Sequence, residues 1–279
     1  MTSSTPQPIL YDSHMHTPLC KHAKGEPEAY AMIAEKRNLK GIIITCHNPG
    51  PTPDFSAQVR MSMNQLDDYI AMVERARQTW AGRVDVRLGL ECDYIPGLEP
   101  FLETLLRQAD FHHILGSIHP SLNYYKNTFM KGDDFAFQQL YFEHLAQSAE
   151  SGLFDTLSHP DLVKNMFPAT WQVDSLLDDI RRSLDRIAKT DAAMELNTSG
   201  LNKRIREMNP NPTMLAEMQQ RGIPVVLGSD SHEPGRVAAN FEDALTLLES
   251  VGYTHVSFFL NRERQEVEID KARSSLTPA

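Results

Sequence analysis

The sequence predicts an α/β fold in which seven or eight parallel strands close into a barrel, and three observations carry that prediction. Short apolar runs bounded by turn residues recur along the chain, as buried strands require. Segments with helical spacing alternate with them, the order that builds a parallel sheet. Six of the runs end on His, Asp or Glu, spread from one end of the chain to the other. An open doubly wound sheet would gather such groups on fewer strand ends, around one switch point.

The elements follow in order. The first candidate strand, 9–16, reads Ile-Leu-Tyr-Asp-Ser-His-Met-His. In 26–38, Tyr30, Ile33 and Ala34 share a helical face and Pro27 suits a first turn. Strand 42–47 leads to helix 65–80, with Leu66, Tyr69, Ile70 and Val73 on one side, and then to strand 84–91. Strand 111–119 precedes helix 135–150. Strand 154–159 precedes helix 173–189, where Leu176, Ile180, Leu184 and Ile187 recur every three or four residues. Strands 192–197 and 223–230, helix 241–250 and an eighth candidate strand, 254–260, complete the series. Gly41, Gly82, Gly152, Gly222 and Gly252 each stand between a helix and the next strand, where a left-handed residue stops a helix at little steric cost. No repeat or linker interrupts 9–269, which reads as one domain; 1–8 and 270–279 read as frayed tails.

The chain has 279 residues, 41% of them hydrophobic and 23% charged, ordinary values for a globular domain with a full core. Its net charge of −10 argues against a broad nucleic-acid or anionic-membrane surface. It leaves room for a small phosphorylated substrate, because bound cations invert the local field. The first eight residues have neither the basic nor the apolar segment of a secretory signal, and no apolar stretch is long enough to span a membrane. Three cysteines, Cys20, Cys46 and Cys92, form no paired framework, so the expected location is cytoplasmic.

Residues two apart on a strand point the same way, so His14 and His16 are expected to face one site, with Asp12 behind them orienting an imidazole. Asp230-Ser231-His232 repeats the pattern at the seventh strand, and His47, Glu91, His119 and His159 end four others. Imidazole and carboxylate without a thiolate set suit Zn, Fe or Mn in a catalytic centre, and that names metal-assisted hydrolysis. Cys20 reads as a free thiol in a loop; Cys46 and Cys92 adjoin expected ligands and turn to the opposite face as packing residues. His112, His113, His144 and His255 read as structural.

His14-x-His16, Thr45-Cys46-His47, Gly89-Leu90-Glu91, Gly116-Ser117-Ile118-His119, Ser158-His159-Pro160 and Gly228-Ser229-Asp230-Ser231-His232 resemble the motifs of the PHP (polymerase and histidinol phosphatase) superfamily. Segments 91–97, 159–164 and 195–201 bring the resemblance closer to its histidinol-phosphate phosphatase branch. The resemblance runs from Asp12 to His232 and implies a distorted TIM-like (β/α)7 barrel holding three divalent ions. It implies that His14, His16, Glu91 and Asp230 hold the first. Glu91 then bridges to a second, completed by His119 and His159, and His22, His47 and His232 hold the third. His22 is the least secure of these on spacing, since it lies in a loop beyond His16.

The implied activity is hydrolysis of L-histidinol phosphate to L-histidinol and phosphate, in histidine biosynthesis. Lys164 stands where many relatives carry an arginine that grips phosphate. Asn197 is expected to hydrogen-bond substrate or to cap the following turn, and Lys203 or Arg204 to bind phosphate or to lie in a solvated turn. A water held by the cations, Asp230 and His232 are the three candidates to protonate the leaving alkoxide. Loop 120–126 departs from its relatives on the expected catalytic rim and bears on substrate choice. Two other readings stand beside this one: a PHP phosphoesterase for another small phosphate or a nucleotide, and a metal-bound PHP module without catalysis.

Overall fold

A computed structural model describes residues 7–55 and 57–276. Its strands form one sheet in chain order: β1 (Tyr11–Asp12), β2 (Gly41–Ile44), β3 (Asp85–Asp93), β4 (His113–Ser117), β5 (Thr156–Leu157), β6 (Ala193–Asn197), β7 (Val225–Gly228), β8 (His255–Leu260) and β9 (Glu263–Glu268). Each pairs parallel with the next except β8 and β9, which are antiparallel.

Beyond Asp12 the first strand runs on beside β7. Ser13 N donates to Leu227 O (3.3 Å), Ser231 N to His14 O (3.2 Å) and His16 N to Ser231 O (2.9 Å). Seven parallel strands therefore close, as expected. The barrel is distorted because β7 is shared: its C-terminal end meets the first strand, whereas Val226 pairs with Ser257 of β8.

The helices are α1 (Pro27–Lys36), α2 (Leu66–Thr79), α3 (Glu99–Leu106), α4 (Asn123–Phe129), α5 (Asp134–Glu150), α6 (Leu177–Ile187), α7 (Pro212–Gln220), α8 (Phe241–Ser250) and α9 (Ile269–Ser275). Outward residues of the strands, such as Ile42, Ile44 and Leu90, join one core with helical residues such as Tyr30, Tyr69 and Val73. Tyr69 does more than pack. Its hydroxyl bonds Ile44 O (2.8 Å) and Gly89 O (2.8 Å) and accepts from Cys46 N (3.2 Å), fixing the ends of β2 and β3 next to His47 and Glu91.

Three expectations change. The C-terminal tail at 270–279 is helical through Ser275, because Ile269, Ala272 and Ser275 share a buried face among charged neighbours; 1–6 and 277–279 lie outside the described residues. Gly41 is no helix stop. It opens β2, where a Cβ would strike Asp85 O and the Tyr11 ring, and Asn38 (φ 57°) is the left-handed residue instead. Strand β9 is new: its residues are mostly exposed and charged, so no alternation marks it.

Asn261 (φ 53°) and Arg262 (φ 62°) make the two-residue turn between β8 and β9. This hairpin crosses the N-terminal mouth of the barrel. Phe259 stacks on His113 at 5.2 Å, Arg262 N donates to His112 O (3.0 Å), and Arg262 Nε bonds Asp155 Oδ1 (3.0 Å).

Candidate metal centre

The opposite, C-terminal mouth carries the chemistry. Glu91 is buried at its middle. His47 Nδ1 approaches Glu91 Oε2 to 2.5 Å, His14 Nε2 to 3.5 Å and His16 Nε2 to 3.6 Å. Around Oε1 lie His159 Nε2 (3.0 Å), His119 Nε2 (3.4 Å) and the donating Ser117 hydroxyl (2.7 Å). Asp230 Oδ1 lies 3.2 Å from His16 Nε2 and 3.8 Å from His14 Nε2. The His232 ring stacks on His16 at 4.0 Å and on His22 at 4.6 Å, and His22 lies 5.4 Å from His47. All nine expected ligand residues thus converge, including the loop residue His22.

Three groups of imidazoles and carboxylates present ligand atoms within 4.8 Å of one another: His14, His16 and Asp230; His47, Glu91 and His119; and His16, His47 and His232. The thiols of Cys20 and Cys46 come as close to one another and to His16, so Cys46 does not simply face away as expected. Cys20, though buried, reaches the same distance from His22 and His232. His14 Nε2 and His232 Nε2 are buried without a hydrogen-bond partner among the described residues, and the close approach of His47 Nδ1 to Glu91 Oε2 lacks hydrogen-bond geometry. So many lone pairs facing each other without donors fit cations, which would satisfy them all.

The electrostatics agree. Burial raises the Glu91 carboxyl, but His47, His14 and His119 outweigh it and hold it well below the usual range. Burial, reinforced by His232 and His47, pushes His16 well below its ordinary value. His14 is the exception: burial lowers it, yet Glu195, Glu91 and Asp230 together hold it well above.

Sequence reasoning missed the groups that aim these ligands. Glu195, wholly buried on β6, accepts from His14 Nδ1 (2.7 Å) through Oε1 and from His159 N (2.7 Å) through Oε2. Gly228 makes room for it, since a Cβ there would collide with Glu195 Oε1 and His14 Cβ. Asp93 accepts from His119 Nδ1 (2.6 Å) and binds Arg60 through both oxygens, Nε at 2.7 Å and Nη2 at 2.9 Å. Both carboxylates leave the Nε2 of their histidine to ligate. A signal existed: each stands two residues from a flagged position, Asn197 or Glu91, and so faces the same way.

The expected substrate residues divide. Lys203 lines the cavity above the cluster, 3.3 Å from Asp230 Oδ2, and exposed Arg204 lines it too. Lys164 does not. It is fully buried and spent on Asp161 (3.0 Å), Met208 O (2.8 Å) and Glu207 (3.3 Å), holding the 207–209 loop. Asn197 is likewise buried, and its capping role prevails: Oδ1 accepts from Ser199 N (2.9 Å) while Nδ2 donates to Glu195 (3.0 Å). Asp12 touches no imidazole. The strand loses regularity after it, and its carboxylate accepts from Ser229 N (3.0 Å) and Ala238 N (2.7 Å).

The cavity measures about 1060 Å³, with Pro120, Ser121, Leu122 and Lys126 forming one wall. A closed α/β barrel with imidazoles and carboxylates gathered around one glutamate, at the base of such a cavity, defines a metal-dependent hydrolase. The comparisons agree. The PHP domain matches residues 12–199. A probable histidinol-phosphatase of Deinococcus radiodurans is 38% identical over 255 residues, covering 89% of this chain and 96% of that one. A histidinol-phosphatase of Bacillus subtilis is 28% identical over 261 residues, covering 83% and 96%. The structure of histidinol phosphate phosphatase from Lactococcus lactis, complexed with zinc, L-histidinol and phosphate, superposes with a TM-score of 0.77 at 18% identity, covering 91% of this chain and 98% of that one. The chain belongs to the PHP family, among its histidinol-phosphatases.

Proposed function

We propose that the protein is a phosphomonoesterase that hydrolyses L-histidinol phosphate to L-histidinol and phosphate at a three-cation centre. Five imidazoles gathered around Glu91, with Asp230, His22 and His232 beside them below an open cavity, carry this reading. In it, His14, His16, Glu91 and Asp230 hold one ion, Glu91, His119 and His159 a second, and His22, His47 and His232 a third. Such ions supply a water of lowered pKa and neutralise charge on the phosphoryl oxygens.

The chain's own residues do the rest. Glu195 and Asp93 fix the imidazoles, so no reorganisation is needed during turnover. Asp230 is oriented by the Ser199 hydroxyl (2.8 Å) and Lys203, both on Oδ2. Lys203 and Arg204 add positive charge where the phosphate enters. His232, partly exposed in the cavity wall, is the side chain placed to hand a proton to the leaving oxygen. Burial raises the Asp230 carboxyl, but Lys203 and His14 hold it well below the usual carboxylate range, so it is ionised.

Elemental analysis of the purified protein, coupled to phosphate release from a substrate panel, tests the reading. Metal-dependent turnover of L-histidinol phosphate well above that of an aryl phosphate is expected. Equal rates would refute the substrate, and full metal content without turnover would favour the non-catalytic module. One observation favours a second substrate. The cavity is lined by Lys126, Lys203 and Arg204, with Asp230 its sole lining carboxylate among the described residues, which suits a phosphate ester bearing another anionic group. Such esters belong in the panel.

A further inference from the structure

With Lys164 turned away from the cavity, the phosphate-gripping cation must come from elsewhere. Arg60 lies in the segment between β2 and α2 and is only 3% exposed, yet it lines the cavity beside His47 and His119. Its fork is locked by Asp93, and Nη1 donates to Val59 O (2.8 Å). His119 Nδ1, 3.2 Å from Nη2, already gives its proton to Asp93 and is no acceptor for Arg60. Of the five guanidinium N–H groups, three are thus committed, leaving one on Nη1 and one on Nη2. Lys126 and Arg204 are exposed and Lys203 is 28% exposed, so Arg60 is the most deeply held cation lining this space.

We propose that Arg60 binds the phosphoryl group of the substrate, presenting its two uncommitted N–H groups from the β3–β4 side while Lys203 stands beside Asp230 on the β7 side. Asp93 preorganises it. A guanidinium held in one plane loses little freedom on meeting a phosphate, and two N–H groups from adjacent nitrogens match two phosphoryl oxygens. This inference rests on the phosphatase reading of the same site and adds a substrate-binding residue to it.

The test uses metal-loaded wild type, Arg60→Ala and Arg60→Lys. Inorganic phosphate binding is measured by calorimetry, together with metal content, kcat and KM for L-histidinol phosphate, and rescue by added guanidinium at non-denaturing concentration. For Arg60→Ala, unchanged metal content, at least tenfold weaker phosphate binding, a matching rise in KM and partial rescue by guanidinium are expected. Arg60→Lys, which keeps the charge without the fork, should fall between and serves if the alanine variant does not fold. Phosphate affinity within twofold of wild type in the folded variant would overturn the proposal. So would loss of metal content, which would leave Arg60 a positioning residue for His119. Should wild type bind phosphate yet leave L-histidinol phosphate intact, the functional reading falls while the calorimetry still decides on Arg60.

Discussion

Glu195 gives the sharpest test of how the centre is built. Its two oxygens hold ligands from two strands, His14 from the first and His159 following β5, and also receive Asn197. Glu195→Gln preserves volume but replaces one acceptor by a donor. If the amide NH2 faces His159 N and Asn197, two donors meet a donor. If it faces His14, the imidazole moves its proton to Nε2, the atom needed for ligation. Either outcome leaves a buried group unsatisfied, costing about 1–3 kcal/mol. Much of that reaches metal binding, so affinity should drop about 10- to 100-fold, as for other groups that orient metal-bound histidines. Titration against a competing chelator, with wild type in parallel, measures it. Affinity within about twofold of wild type would mean that Glu195 does not aim His14, and the reasoning fails.

Three further outcomes follow from the geometry. Lys164→Met breaks a buried pair with Asp161 and should destabilise the fold by about 3 kcal/mol while leaving KM unchanged; urea unfolding and kinetics check both halves. His113, inside the barrel, is pushed down to about 3, chiefly by burial. Its folded pKa lies below its unfolded one, so its contribution is complete above about pH 6.5 and is lost as pH falls toward 3. Relative to wild type, His113→Gln should therefore gain about 1.4 kcal/mol per pH unit across that window, read from urea titrations of chelated protein at pH 7 and pH 5. Arg262→Ala should cost about 1–2 kcal/mol at pH 7, since it strips the partly exposed partner from Asp155. Burial raises Asp155 to about 6, so at pH 5 the carboxyl is mostly neutral and the cost shrinks.

Eight of the nine residues that converge at the C-terminal mouth were legible because two simple rules coincide at them; His22, in a loop, came only from the resemblance. Alternation tells which residues share a face, and imidazole or carboxylate at the end of an apolar strand has few structural uses. Lys164 and Asn197 were misread because residue type does not reveal direction. Lys164 lies within a short helical turn, and its orientation is decided by Asp161 and by Met208 O, which is 44 positions away. Asp12 was placed by an alternation that stops where the strand does. Strand β9 and the last helix hide in charged sequence. Arg60 lies between regular elements, and nothing local marks it; only the fold brings it to His119.

The seam between β1 and β7 has a consequence for biosynthesis. His16 and Asp230, 3.2 Å apart in the finished protein, are separated by 214 positions of chain. In the proposed assignment, a nascent chain that has made the first six strands lacks Asp230 and His232, and so cannot complete the first or the third ion's donor set. The barrel's last joint is thus also the one that completes two of the three proposed ion sites.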